Sequence, residues 1–355
     1  MKAGLKIAQV APLYESVPPQ TYGGTERVVK NLVEGLSNLG HEITLFASGD
    51  SVTTSKLIDP CPSSLRLDWG VRDKIVPHIT MLQMLCEIES EFDLIHFHLD
   101  YLHLPLSGKL RTPNITTIHS RLDLPELVQL YSRFPKTNFV SISHAQRGAL
   151  SGNNWVGNVY HGLDGNSFAP SYDGGRHLTF LGRMSPDKNP EEAIQLAIKT
   201  NLPIKIAAKI DPEDRPYYEN KIMPLLNHPL VEFIGEVGEA KKIELLRNSL
   251  ALVFPIKWPE PFGMVLIEAM ACGTPVIAFN EGSVPEIIDE GVTGIVVQSI
   301  EEAVDKMKHL ELIDRKLVRR RFEERFEQNI MALNYERIYR DVLTPETSID
   351  QLYEG

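Results

Sequence analysis

Glu260 and Glu268 stand with seven residues between them in the stretch Trp258-Pro259-Glu260-Pro261-Phe262-Gly263-Met264-Val265-Leu266-Ile267-Glu268-Ala269-Met270-Ala271-Cys272-Gly273. The flanking prolines keep Glu260 in a loop. The residues beyond them predict a helix over about 263–272, and Gly263 leaves backbone N–H groups open at its start. Glu268 falls inside that helix among Val265, Leu266, Ala269 and Met270. A carboxylate in such company is costly to desolvate unless donors meet it, and the ribose hydroxyls of a nucleotide are such donors. The plainer alternative is a partly exposed helix residue.

A second cluster reads Gly182-Arg183-Met184-Ser185-Pro186-Asp187-Lys188-Asn189 and sets two cations on a turn between a strand and a helix. Fixed positive charge there would stabilise a departing diphosphate. Arg183 can grip it with two N–H groups, and Lys188 acts as a point charge. Two solvated loop cations are the ordinary alternative. A third cluster, Tyr22-Gly23-Gly24-Thr25-Glu26, lies between the first strand and a helix. Paired glycines let a phosphate or sugar approach the backbone at a helix start. The same residues also fit a tight turn with Thr25 as N-cap. His96 and His98 share one face of a strand, with no further ligand nearby to complete a metal site. His119 follows an apolar strand at its cleft end, placed either to donate to a sugar hydroxyl or to sit hydrogen-bonded beneath a loop.

These loops need elements to hold them. Apolar runs predict strands over 6–10, 42–47, 94–97, 115–118 and 139–142. Val28, Val29, Leu32, Val33, Leu36 and Leu39 recur at helical spacing between the first two, which makes a βαβ unit of a parallel sheet. The pattern restarts with strands over 177–181, 204–208, 231–234, 251–254, 275–278 and 294–297, and a helix over 190–199. Residues 160–175, rich in Gly, Asp, Asn and Ser, read as the linker. The expected architecture is α/β: two doubly wound parallel sheets, with ligands beyond the carboxyl ends of the strands. The expected bounds are 1–165, 166–320 and a terminal segment, 321–355. Phe322, Phe326, Ile330, Leu333 and Ile338 predict one amphipathic helix over about 319–341.

At 355 residues the chain is long enough for two such cores. Its formal net charge of -11 argues against a nucleic-acid partner, which needs a basic face. It also gives no electrostatic help toward an anionic membrane. No apolar run approaches the roughly 20 residues that span a bilayer, and the first residues lack the features of a secretory leader. Three scattered cysteines (Cys61, Cys86, Cys272) form no disulfide framework or zinc site, which fits a reducing cytoplasm. The glycine fingerprint of a dinucleotide-binding dehydrogenase and the phosphate loop ending in Gly-Lys-Ser/Thr are both missing.

The set YGGTE, TTIHS (residues 116–120), FLGRMSPDKN (180–189), EPFGMVLIEAMACGTPVIA (260–278) and EGSVPEII (281–288) resembles glycosyltransferase family 4, retaining enzymes of the GT-B fold. The agreement in order and spacing runs from about residue 5 to residue 300, and the two-glutamate motif is its most specific part. The resemblance implies a hexosyltransferase whose co-substrate is a nucleotide-diphosphate sugar, UDP-glucose first, with GDP-mannose and ADP-glucose as alternatives. It implies that Gly23 and Gly24 approach the donor phosphates and acceptor, and that His119 contacts the transferred sugar. Arg183 and Lys188, beside Gly182, hold the diphosphate. Glu260 binds sugar hydroxyls near the N–H groups of Phe262, Gly263, Met264 and Val265, and Glu268 takes the ribose. The final helix crosses back to the N-terminal domain. No metal or further cofactor is expected, since Arg183 and Lys188 supply the charge. The acceptor is a sugar, a lipid-linked molecule or a small molecule, and peripheral membrane contact would go with the second. A non-catalytic nucleotide-sugar-binding relative is the other reading.

Overall fold

The computed structural model describes residues 4–20, 23–66 and 68–344. Tyr22, in the first glycine loop, and residues 345–355 of the expected terminal segment lie outside them. Among the described residues, thirteen strands form two sheets in which every pairing is parallel. The first holds β1 (Lys6–Val10), β2 (Glu42–Phe46), β3 (Lys56–Ile58), β4 (Leu94–Phe97), β5 (Asn114–Thr117), β6 (Phe139–Ser141) and β7 (Trp155–Asn158), in the order β3-β2-β1-β4-β5-β6-β7. The second holds β8 (His177–Arg183), β9 (Ile204–Lys209), β10 (Val231–Gly235), β11 (Ser249–Phe254), β12 (Val276–Phe279) and β13 (Gly294–Val297), in the order β10-β9-β8-β11-β12-β13.

Each order reverses once, between β1 and β4 and between β8 and β11. At such a point the loops leaving two neighbouring strands diverge and open a crevice. The strands are near-continuous apolar runs because helices cover both faces. Ile7, Leu45 and Leu94 face one N-terminal core with Val28, Leu32 and Leu36 of the first helix, Gly24–Asn38. Ala8, Phe46 and Phe97 face the other with Met81 and Leu85. A larger core fills the second sheet and its helices. The three cysteines are unpaired, and no helix among the described residues is long and apolar enough to cross a membrane.

Two edge strands, β3 and β7, were not expected from the sequence. Both are short and partly exposed, so neither shows an apolar run. The single helix expected over 319–341 is two. Arg315–Arg325 ends at Phe326, and Gln328–Leu343 begins after Glu327, whose carboxylate accepts from Asn329 N–H at 2.6 Å. The break has a reason: the chain crosses between the sheets here. Leu163 N–H donates to Phe326 O and Gln328 N–H to Leu163 O, both at 2.9 Å, so the outbound and return crossings are paired. The expected stripe is corrected too. Leu333 is 45% exposed, and the buried face beyond the break is Met331, Ala332, Tyr335, Ile338 and Tyr339.

That face lies on the first helix at Gly35, where an added Cβ would come within 2.8 Å of Ala332 Cβ and 3.2 Å of Gln328 O. Gly35→Val should therefore lower stability by about 1–3 kcal/mol through overpacking. A urea unfolding midpoint unchanged from the native protein would overturn the claim that this helix pair is in tight contact.

Candidate functional site

The two sheets face each other across a cleft with a cavity of about 740 Å³. Its C-terminal wall comes from the loops after β8 and β11, the strands that flank the switch point. Gly182 and Arg183 are the last residues of β8, so of the two cations expected on a turn only Lys188 lies on the loop that follows. Its turn closes on Asn189, in the left-handed region at φ 55°, which leads into the helix Pro190–Thr200. The Asn189 side chain donates to Pro255 O at 2.9 Å and ties this loop to the next. The second loop carries Glu260 and Phe262, then turns at Gly263, whose φ of 79° suits a residue without Cβ. The helix Met264–Ala271 starts there and presents the Met264 and Val265 end to the cavity.

Charges in this wall are paired. Lys188 Nζ meets Glu260 Oε2 and lies 5.1 Å from the Trp258 ring centroid. Glu268 is buried and meets Lys242 of the helix Glu239–Arg247. Arg183 Nε lies 3.0 Å from Asp214 Oδ2, and Arg183 also approaches Asp187 at 3.4 Å. Asp211, Glu213 and Asp214 come close enough to share a cation, but Arg183 already pairs with Asp214 and Lys209 with Asp211, the latter at 2.6 Å.

The opposite wall comes from the loops after β1 and β5. Gly23 has φ 151°, and a Cβ there would strike Pro19 at 2.6 Å. Beside Gly24 a Cβ would meet nothing within 4 Å, so its backbone is open to an approaching group. The helix begins at Gly24 with Gly23 as N-cap, so Thr25 is not the cap. His119 also lines the cavity. Its Nε2 lies 2.8 Å from His98 Nδ1, and its ring stacks on His161 at 5.2 Å. Removal from water lowers the His119 pKa to about 3 and holds His96, His98 and His161 well below the ordinary value, so all four are neutral. The twelve residues expected to bind or act on the donor thus stand on the walls of one cavity, whereas His96 and His98 are buried away from it.

Other side chains in and near the cleft have partners that the sequence does not announce. Lys242 pairs with a residue 26 positions away. Arg27 reaches across the cleft to Glu239 at 2.7 Å, and the Arg121 guanidinium lies 4.9 Å over the Trp258 ring. Glu286 accepts N–H bonds from His144 and Ala145, both at 2.7 Å, and from the Tyr160 hydroxyl at 3.1 Å. Lys242–Glu268 joins two helices of the C-terminal half and the others link the two halves, and no local spacing announces any of them.

Two parallel sheets whose switch points face one another across a ligand-sized cleft define a GT-B fold. Residues 22–150 match the family described as Glycosyltransferase Family 4, and residues 168–329 match Glycosyl transferases group 1. The chain belongs to this glycosyltransferase family, and it is a transferase by that membership. It is 26% identical over 328 residues to a phosphatidyl-myo-inositol mannosyltransferase from Mycolicibacterium smegmatis, covering 82% of this chain and 81% of that one. The fold is similar to that of AviGT4, a glycosyltransferase involved in avilamycin A biosynthesis (TM-score 0.77, 24% identity, 96% and 98% of the two chains). It is also similar to that of HepE from Anabaena, solved in complex with UDP and glucose (TM-score 0.71, 18% identity, 94% and 98%).

Glu26, in the first turn of the first helix, also lines the cavity and is buried. Burial pushes its carboxyl up to about 7; its backbone N–H opposes the rise and the Asp100 charge adds to it. In the unfolded chain it ionises near 4.5. Its contribution to stability is therefore full below pH 4.5 and lost as pH rises through 7. Glu26→Gln should be close to native stability at pH 5 and more stable by about 2–3 kcal/mol at pH 8. Urea unfolding at both values is the check, and a difference independent of pH would refute it.

Proposed function

We propose that this cleft moves a hexosyl group from a nucleotide-diphosphate sugar to an acceptor hydroxyl, with retention of anomeric configuration and without a metal ion. One observation carries the reading. Arg183, Lys188 and the helix start at Gly263 converge on a cavity whose facing wall offers open backbone at Gly24 and the ring of His119.

The diphosphate lies against Arg183 and Lys188 and the N–H groups at the head of the Met264 helix, where positive potential is greatest. Glu268 takes the ribose hydroxyls and Glu260 the transferred sugar. Both lysines then change partners: Lys188 turns from Glu260 toward phosphate, and Lys242 makes room at Glu268. The bond from the anomeric carbon to the phosphate oxygen breaks as the acceptor oxygen bonds to the same carbon on the same face. The acceptor proton passes to the departing phosphate oxygen, whose charge Arg183 and Lys188 stabilise. A base behind the anomeric carbon is not needed on this route. The HepE complex with UDP and glucose favours a UDP-hexose, while the mannosyltransferase relative keeps GDP-mannose in contention, with ADP-glucose a third choice. The acceptor is a sugar, a lipid-linked molecule or a small molecule, the lipid-linked case bringing peripheral membrane contact, and the reaction belongs to the cytoplasm.

Calorimetric titration with UDP, GDP and ADP should give the tightest binding to UDP; selective binding of GDP would overturn the donor choice. Turnover should persist in EDTA. A full loss restored by magnesium or manganese would refute a metal-free reaction, and binding without any turnover would favour a non-catalytic relative. Glu268→Gln should raise the donor KM, worth about 1–3 kcal/mol of binding, with kcat nearly unchanged. Glu260→Gln should chiefly lower kcat, and Arg183→Ala should impair both. NMR of the product anomer completes the test, since an inverted product breaks the scheme.

A further inference from the structure

A chain of buried polar side chains runs from the cavity to the returning C-terminal helix. His119 Nε2 meets His98 Nδ1 at 2.8 Å, and His98 Nε2 meets Gln9 Oε1 at 2.8 Å. Gln9 Nε2 donates to the Tyr339 hydroxyl at 3.1 Å. That hydroxyl lies 2.9 Å from His96 Nδ1. His96 Nε2 meets Thr117 Oγ1 at 2.7 Å, which lies 2.9 Å from the Tyr335 hydroxyl. Apart from His119 at the cavity, every member is buried.

The chain has one direction. Gln9 Oε1 can only accept, so His98 carries its proton on Nε2. A neutral His98 then offers a lone pair at Nδ1, and His119 must donate to it from Nε2. A neutral His119 is left with a bare lone pair at Nδ1, which is buried and has no hydrogen-bond partner among the described residues. On the other side Tyr339 receives the Gln9 N–H, so its own proton turns to His96 Nδ1. His96 then holds its proton on Nε2 and donates to Thr117. Every proton points away from the cavity, and aligned donors of this kind strengthen one another.

We propose that this chain fixes His119 as a hydrogen-bond acceptor toward a hydroxyl of the transferred sugar, with Gln9 and Tyr339 as positioning residues. The inference rests on the glycosyl-transfer reading above and deepens it. It reverses the donor role expected of His119 from the sequence. It also gives the returning helix a part in sugar recognition. A sugar hydroxyl meeting this site must give its proton to His119, so an atom that only accepts is refused. A neutral His119 in the opposite tautomer would present N–H and tolerate such an atom.

The test has two arms. The first needs no substrate. Two-bond proton–nitrogen correlation spectra of protein labelled with nitrogen-15 at histidine report which ring nitrogen carries the proton. His119, assigned by loss of its signal in His119→Ala, should show Nε2–H and a bare Nδ1. Gln9→Leu and Tyr339→Phe should each introduce a measurable fraction of the Nδ1–H form. An Nδ1-protonated or positively charged His119 in the native protein overturns the proposal, as does an unchanged tautomer in both variants when they retain native circular dichroism. The second arm uses nucleotide sugars with each sugar hydroxyl replaced in turn by hydrogen or fluorine. At one position the fluoro donor should lose as much kcat/KM as the deoxy donor, about tenfold for one hydrogen bond, and the loss should vanish in His119→Ala. A fluoro donor that keeps most of the native rate at the position sensed by His119 also overturns the proposal. Failure of every nucleotide sugar to turn over would instead defeat the functional reading, while the tautomer measurement would still decide the polarity of the chain.

Discussion

The chain passes between its two sheets twice, and the passages are hydrogen-bonded to each other through Leu163, Phe326 and Gln328. This pairing is the constraint on which the cleft depends. A GT-B site belongs to neither sheet alone, because each supplies one wall at its own switch point. A single flexible linker would leave the walls free to drift. Two paired crossings fix the pivot, and the packing of Gln328–Leu343 against Gly24–Asn38 anchors the second passage in the N-terminal core. The close approach at Gly35 is what lets that helix settle low enough for Tyr339 to reach His96 of β4 and Tyr335 to reach Thr117 of β5.

The electrostatics of the cleft follow from burial. Glu260, in the loop before an apolar helix, and Glu268, inside that helix, could not be buried there without partners. Lys188 and Lys242 provide them, as Asp214 and Asp187 do for Arg183. The cations that suit a diphosphate are therefore engaged before any ligand arrives. Binding becomes an exchange of partners rather than the filling of an empty charged hole, so the affinity measured is a difference between two sets of contacts. The neutral histidines complete the picture: they contribute direction to the N-terminal wall without adding charge.

Most of the frame was legible in the sequence. β1, β4 and β13 have the bounds read from their apolar runs, and the long central strands differ by a residue or two. β3 and β7 were invisible because edge strands of three and four residues bury too little to leave a pattern. The last helix was misread as continuous because Phe322 and Phe326 keep helical spacing up to the break, whereas the break is set by the distant Leu163. The twelve candidate positions line one cavity; the glycines and charges among them drew notice because they cluster where strands end, and the parts given to His119, Phe262, Met264 and Val265 came with the family resemblance. The partners of Lys242 and Glu286 and the connections beneath His119 were not legible. Each depends on residues that fold topology, rather than spacing, brings together.

The Glu286 clasp takes one side chain, the Tyr160 hydroxyl, and otherwise only main chain. Its carboxylate belongs to the C-terminal half, but what it grips at residues 144 and 145 is bare main chain. Any amino acid except proline supplies the same N–H. The N-terminal half can therefore change the side chains at these two positions freely while the join survives, and a partner half with different surface chemistry could be accepted at the same seam. The interface is in this respect a socket indifferent to the identity of its plug. It allows the N-terminal wall to diverge without renegotiating its attachment to the C-terminal wall.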